Sequence, residues 1–147
     1  MIPLDKLTVK TQEALQDAVR MAAERGHAEV GPEHLFVSLL RQEGGVTGEL
    51  LARTGVPAQR LLEEAERELA SRPKVAGAVS RGLSHAMEPL FRRALSEADG
   101  FRDEYLSAEH FLLALCEEPG KVGEILRRNG VTRQALLSAL TAIRGSQ

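Results

Sequence analysis

The stretch GELLARTGV at residues 48–56 is followed, 75 positions later, by GEILRRNGV at residues 123–131. A second pair of segments, VGPEHLFVSLL at 30–40 and LSAEHFLLALC at 106–116, repeats with an offset of 76. The second half has one residue fewer between these segments, which explains the change of offset from 76 to 75. The two halves of the chain therefore align over most of their length. Self-similarity at a fixed spacing is the signature of a duplicated structural unit. The chain is therefore predicted to contain two copies of one unit.

Apolar residues in both halves recur at the spacing of an amphipathic helix, i, i+3, i+4, i+7 and i+8. The aligned sets are Thr11, Ala14, Leu15, Ala18, Val19 and Ala22 in the first half, and Met87, Leu90, Phe91, Ala94, Leu95 and Ala98 in the second. Pro32 suits a first helical position, Ser107 suits an N-cap, and Gly55 and Gly130 suit helix ends. Alternating strand patterns are missing. The predicted fold is all-α, with eight short helices arranged as a pseudo-twofold pair of four-helix repeats joined by a linker.

Helix-breaking proline and glycine residues also predict the domain organisation. The segment SRPKVAGAVSRGLS at 71–84 contains Pro73, Gly77 and Gly82 and no acidic residue, which is typical of a linker. We expect a single domain over 1–147, with repeat one at about 1–70, the linker at about 71–84 and repeat two at about 85–144.

Composition excludes several functional classes. Hydrophobic residues make up 43% of the 147 residues and tryptophan is missing, so the predicted core is aliphatic. A net charge of −2 and a pI near 6.1 do not provide the basic face that nucleic-acid binding needs. One cysteine excludes an internal disulfide and fits a reducing compartment. The N-terminus lacks a signal sequence, and no apolar run approaches the roughly 20 residues of a membrane span. We expect a cytoplasmic protein that binds neither nucleic acid nor membrane.

The sequence contains no recognisable catalytic or cofactor motif. Neither G-x-x-x-x-G-K-[ST] nor G-x-G-x-x-G is present, and the four histidines lack the spacing of a helical zinc site. Cys116 falls at an apolar helix position, which indicates a core residue rather than a nucleophile. We therefore predict that this chain is not an enzyme and holds no metal or cofactor.

Three features have both a structural and a functional interpretation. Glu33-His34 and Glu109-His110 occupy the same place in each repeat, at the second and third positions of a helix. A carboxylate there stabilises the helix dipole by ~0.3–1 kcal/mol, and it could instead anchor a cationic group of a partner. Thr8 precedes the first helix, where capping alone explains it. Asp103 lies in the turn before the sixth helix, where we expect an exposed and solvated acid.

The ordered set LDKLTVKTQEAL, GPEHLFVSLL, GELLARTGV, RPKVAGA, YLSAEHFLLAL and GEILRRNGV resembles the N-terminal domain of Clp-family AAA+ unfoldases. The resemblance covers essentially the whole chain. It implies a pseudo-twofold all-α domain on a homohexameric, ATP-driven machine that threads unfolded or aggregated proteins through a pore. The isolated domain would be a monomer. ATP and Mg²⁺ would bind only in AAA+ rings beyond residue 147, and the partners would be unfolded or aggregated proteins together with adaptor proteins.

Two subtypes share this resemblance. RPKVAGA and the terminal IRGSQ are most similar to ClpB-type disaggregases, in which Thr8, Asp103 and Glu109 match residues implicated in substrate handling. The doubled Glu-His resembles ClpC-type domains, in which the repeated acid, here Glu33 and Glu109, contacts phosphoarginine on marked substrates. ClpB-type domains can also present an apolar groove beside the fifth and sixth helices. Here we expect Arg93, Glu97 and His110 at that surface instead, and Arg93 and His110 complete the set of candidate partner-binding residues.

Overall fold

The computed structural model of the protein describes residues 2–76 and 82–145. Within these residues the chain forms eight α-helices and two very short strands, so the prediction of an all-α fold with eight helices is confirmed. In chain order the elements are α1 (Val9–Glu24), β1 (Glu29–Val30), α2 (Pro32–Arg41), α3 (Thr47–Arg53), α4 (Ala58–Ala70), β2 (Gly82–Leu83), α5 (Met87–Gly100), α6 (Ala108–Cys116), α7 (Lys121–Arg128) and α8 (Arg133–Gly145).

Helix boundaries follow the predicted start and stop residues. Thr8 caps α1, because its side chain accepts a hydrogen bond from the backbone N–H of Thr11 at 3.2 Å. Pro32 is the first residue of α2. Gly55 and Gly130 follow α3 and α7 with φ of +86° and +83°, a left-handed conformation that glycine adopts without a Cβ penalty. These cap, proline and glycine residues mark helix boundaries in both repeats.

The two repeats pack in equivalent ways. The α1–α2 contact corresponds to α5–α6, and the α2–α4 contact corresponds to α6–α8. Between the repeats, α4 packs on α7 as α8 packs on α3. Helices α2 and α6 lie at the centre, with nearly all of their residues buried. Among the described residues, one large cluster of buried apolar side chains therefore spans both repeats.

The repeats are also interlocked by two short backbone pairings that sequence reasoning missed. Val30 of β1 pairs in parallel with Leu83 of β2, and Leu7 forms a parallel bridge with Leu106. The offset of 76 carries Leu7 onto Leu83 and Val30 onto Leu106, so the two pairings are pseudo-twofold equivalents. The first segment of each repeat thus pairs with the loop that precedes the second helix of the other repeat. Two-residue pairings of this kind are too short to produce an alternating pattern in the sequence.

The predicted linker at 71–84 is only partly described. Residues 77–81, which include Gly77, lie outside the described residues. At the far end of the predicted linker, Gly82 and Leu83 form β2 and therefore belong to the folded body.

The core is aliphatic, as predicted, with a small aromatic centre. Phe91 and Phe111 pack edge to face across α5 and α6, with ring centroids 5.0 Å apart. Cys116 is fully buried, and burial raises the pKa of its thiol to about 12. The prediction that Cys116 is a core residue is confirmed, because a buried neutral thiol is a poor nucleophile.

Candidate functional site

A groove lies where the N-termini of α1 and α6 meet, directly beside the bridge between Leu7 and Leu106. It has a volume of about 390 Å³, and its walls are predominantly apolar. We call it the first groove; it is lined by Thr8, Val9, Lys10, Gln42, Gly45, Val46, Ser107, Ala108 and Glu109. The structure therefore brings two of the predicted site residues, Thr8 and Glu109, to the same surface.

The loop between α2 and α3 forms one wall of the first groove, and hydrogen bonds hold it in place. The side-chain amide of Gln42 donates to the backbone carbonyl of Lys10 at 2.8 Å, and the Lys10 ammonium donates to the backbone carbonyl of Glu43 at 2.5 Å. These bonds attach the loop between α2 and α3 to the first turn of α1. The loop carries Val46 into the groove, opposite Val9 and the start of α6.

Large apolar side chains are exposed in this groove and in the two segments that pair beside it. Val9, which lines it, is 71% exposed, although it is the first residue of a well-packed helix. Leu4 and Tyr105 are each 52% exposed, and they flank the paired residues Leu7 and Leu106 in the chain. A cluster of exposed apolar side chains marks an interaction site more often than isolated ones do. This side of the domain is therefore the strongest candidate for contact with an apolar partner.

A cluster of charged side chains adjoins the first groove at Glu109. Arg144 of α8 donates to both carboxylate oxygens of Asp103, at 3.2 and 2.7 Å, and to Glu109 at 3.3 Å. Its guanidinium also lies 4.5 Å from the ring centroid of Phe101. The Arg144 hydrogen bonds, followed by that of His110, lower the pKa of the Asp103 carboxyl. Arg144 thereby links Asp103 to the groove residue Glu109.

The cluster corrects two expectations about exposure. Asp103 is not a solvated acid, because it is half-buried and holds both Arg144 and His110. His110 is not at the surface, since only 1% of it is exposed. Its Nδ1 accepts the backbone N–H of Ser107 at 3.0 Å, and its Nε2 lies 2.7 Å from Asp103. Both ring nitrogens are engaged inside the domain, so His110 cannot contact a partner directly in this conformation.

A second groove is the pseudo-twofold counterpart of the first. It has a volume of about 480 Å³, and we call it the second groove; it is lined by His27, Ala28, Glu29, Gly31, Pro32, Glu33, Arg72, Pro73, Val75, Ser84, His85 and Ala86. The offset of 76 carries Thr8 onto Ser84 and Glu33 onto Glu109. The walls of the second groove are more polar than those of the first. Glu33 therefore lies at an equivalent but separate site.

The acid of the second groove is also paired with an arginine. Glu33 is buried, and its carboxylate lies 2.9 Å from the guanidinium of Arg72, just after α4. Arg72 also contacts Glu68 at 3.5 Å. In both grooves, therefore, the repeated acid is joined to an arginine from the C-terminal end of the repeat's fourth helix.

At the second groove, the pair His34–His27 corresponds to the pair His110–Asp103 of the first. The Nδ1 of His34 accepts the backbone N–H of Gly31 at 3.0 Å, so the neutral ring carries its hydrogen on Nε2. That Nε2 lies 2.8 Å from Nδ1 of His27. The His27 ring also hydrogen-bonds the backbone of Leu69. Burial, and to a smaller extent nearby positive charge, lowers the pKa of His34 to about 4. Burial also lowers the pKa of His27. Both rings are therefore neutral at pH 7.

Arg93 is separated from both grooves. It lines a cleft between α5 and α6 together with Arg92, Glu97 and Arg133. Arg133 donates to both oxygens of Glu97, at 2.6 and 2.8 Å. Arg93 and Glu97, which were expected at a polar surface, are half-buried and line this cleft. The apolar groove of this domain lies at the α1–α6 junction instead.

Several residues of the site escaped sequence reasoning. His27 is one of them: it is equivalent to the predicted site residue Asp103 under the offset of 76, and the shared seven-residue spacing to His34 and His110 was the signal that could have identified it. Arg144 and Arg72 gave no such signal, because the offset does not carry one onto the other. Only the packing of α8 and α4 brings them to the acids.

The described residues offer no arrangement for bound metal, since none of their His, Cys, Asp and Glu side chains form a group of three or more that could hold an ion. Over 2–76 and 82–145, the helices are also too short or too polar for any of them to cross a membrane.

By its fold and its grooves, the protein is a helical domain of two interlocked four-helix repeats with a groove at each equivalent junction. The chain matches the family described as the Clp repeat (R) N-terminal domain over residues 6–129, and it belongs to that family. The resemblance noted in the sequence is thereby confirmed. The matched region is not itself a catalytic ATPase domain.

Similar proteins include chaperones and N-terminal domains of ATPases. The chaperone protein ClpB of Nitratidesulfovibrio vulgaris is 38% identical over 150 residues, which cover 98% of this chain and 17% of the relative. The N-terminal domain of the ClpV1 ATPase from E. coli EAEC superposes with a TM-score of 0.82 at 23% identity, covering 98% of this chain and 88% of that one. A complex of a ClpV N-domain with a VipB peptide matches with a TM-score of 0.76 at 19% identity, covering 96% and 89%. The chain thus spans about a sixth of the length of the curated relatives it matches.

Proposed function

We propose that this domain recognises substrate for a ClpB-type protein disaggregase, by binding apolar segments of unfolded or aggregated polypeptide in the first groove. One observation carries the proposal: an apolar groove with Val9 71% exposed lies between Thr8 and Glu109. A valine side chain gains about 1.5 kcal/mol or more when a partner covers it fully, so the groove favours apolar ligands.

Membership of the Clp N-terminal domain family and similarity to ClpB chaperones support this assignment. A ClpV N-domain of the same fold is seen in complex with a peptide, which supports a peptide-binding role for the fold. In the whole protein, which we propose to be a cytoplasmic homohexamer, ATP and Mg²⁺ would bind in separate ATPase modules. The domain described here would capture the polypeptide and deliver it to them.

A ClpC-type role, in which Glu33 and Glu109 bind phosphoarginine or an adaptor protein, is the second candidate. The repetition of an acid at the second position of both α2 and α6 favours it. Calorimetry with free phosphoarginine distinguishes the two roles. Binding that is lost in both Glu33→Ala and Glu109→Ala would support the ClpC-type role.

The first-groove proposal is tested by a charge placed in the groove. Fluorescence anisotropy would follow labelled α-lactalbumin that has been reduced and alkylated so that it stays unfolded. Val9→Lys is expected to weaken binding about tenfold, since it replaces roughly 1.5 kcal/mol of apolar burial by a charge. Val19→Lys is the matched control, because Val19 is also on α1, is 38% exposed and lies away from the groove. Equal affinities for the two variants would refute the proposed site.

A further inference from the structure

The acid of the first groove is already engaged by a cation of the same chain. Glu109 accepts a hydrogen bond from Arg144 at 3.3 Å, and its side chain is only 16% exposed. Arg144 is in turn fixed by its two hydrogen bonds to Asp103 and by its position over Phe101. A guanidinium held by three groups is pre-organised, so it remains on Glu109 without a further loss of side-chain freedom.

The same arrangement occurs at the second groove through a residue that the repeat does not align. Arg72 lies after the end of α4, whereas Arg144 lies within the last turn of α8. With the offset of 75 that relates these two helices, Arg144 aligns with Leu69 and not with Arg72. In each repeat the acid, Glu33 or Glu109, pairs with an arginine, but the two arginines do not align in the sequence. The ion pair is therefore present at both grooves although the arginine comes from a different position in each repeat.

We infer that Arg144 is a specificity-determining residue of the first groove: it occupies Glu109, so the groove accepts uncharged apolar segments and discriminates against arginine-bearing ones. The assignment rests on the proposed function of the first groove as a polypeptide site. An incoming guanidinium would have to displace Arg144 from Glu109, and Arg144 would then lie close to it with like charge. An uncharged apolar side chain leaves the Arg144–Glu109 pair intact and gains burial against Val9 and Val46.

Removing the internal cation should therefore change selectivity rather than general affinity. The probes are a neutral peptide rich in leucine and valine and the same peptide with two apolar positions replaced by arginine. For Arg144→Gln, affinity for the arginine peptide is expected to rise about fivefold, the effect of roughly one half-buried ion pair. Affinity for the neutral peptide should stay within about twofold.

Arg133→Gln is the matched control. Arg133 is also on α8 and also pairs bidentately with an acid, Glu97, but it lies in the α5–α6 cleft. Its removal adds the same net negative charge to the domain, so a general electrostatic effect would raise the affinity of the arginine peptide for both variants. The inference requires the increase in Arg144→Gln alone.

A third variant keeps the test decisive if Arg144→Gln does not fold. Because Glu109 is engaged internally, Glu109→Gln should leave the ratio of the arginine-peptide affinity to the neutral-peptide affinity within about twofold of wild type. A fivefold fall of that ratio in Glu109→Gln, or an unchanged ratio in folded Arg144→Gln, overturns the inference while the neutral peptide still binds. If neither peptide binds wild type or any variant, the proposed function itself fails.

Discussion

Acidification should destabilise this domain through His34 before its carboxylates protonate. The pKa of His34 is lowered to about 4 in the folded state, against about 6.5 in an unfolded chain. The native state therefore binds fewer protons than the unfolded state between these values, and stability falls as pH decreases from about 6.5 to 4. The difference of roughly 2.5 units at 1.36 kcal/mol each, integrated to pH 4, corresponds to about 3 kcal/mol. Protonation would also place a hydrogen on Nδ1, facing the N–H of Gly31.

The assay is urea unfolding at pH 7.5, 6.5, 5.5, 4.5 and 4.0, followed by circular dichroism. His34→Gln removes the titration while its amide oxygen can still accept the Gly31 N–H at the third helical position. The variant should lose about 3 kcal/mol less than wild type between pH 7.5 and 4. His85→Gln, at an exposed position, is the control and should follow wild type. Parallel pH curves for wild type and His34→Gln would refute the reasoning.

Two further predictions compare residues that the repeat makes equivalent. Thr8→Ala should lower the free energy of unfolding by about 1 kcal/mol, because Thr8 caps α1. Ser84→Ala should lower it by less than about 0.5 kcal/mol, since the buried Ser84 hydroxyl has no hydrogen-bond partner among the described residues. Thermal or urea unfolding measures both changes, and equal losses would contradict the capping role of Thr8. Gly123→Ala should cost about 2 kcal/mol or more, because its Cβ would overlap the backbone oxygen of Glu118. Gly48→Ala, with open space around it, should instead stabilise the domain by about 0.5 kcal/mol, and a loss in both variants would show that crowding is not the cause.

The duplicated fold could be predicted from the sequence because each helix carries its own signals. The apolar stripes, Pro32, Gly55 and Gly130 act within a few residues of where they stand, and the offset of 76 related the two halves. The crossed pairings could not be predicted, since a pair such as Leu7–Leu106 joins residues far apart in the chain with no periodic pattern.

The site was predicted only in part, for the same reason. Thr8 and Glu109 were placed correctly next to helix starts, and the structure brings them to one groove. The predicted exposure of Asp103 and His110 was wrong, because Asp103 pairs with Arg144, which lies 41 positions further along the chain, and His110 turns inward to bond Ser107 and Asp103. Contacts made by helix packing leave no local trace in composition or spacing.

NMR on the ¹⁵N-labelled domain can locate the contact between unfolded polypeptide and the first groove. Reduced and alkylated α-lactalbumin carrying a nitroxide spin label would be added at increasing concentration. If polypeptide binds in the first groove, the amide signals of Val9, Gly45, Val46, Ala108 and Glu109 broaden first, and those around the α5–α6 cleft remain sharp. Broadening confined to the second groove or to that cleft, or no broadening at all, would contradict it.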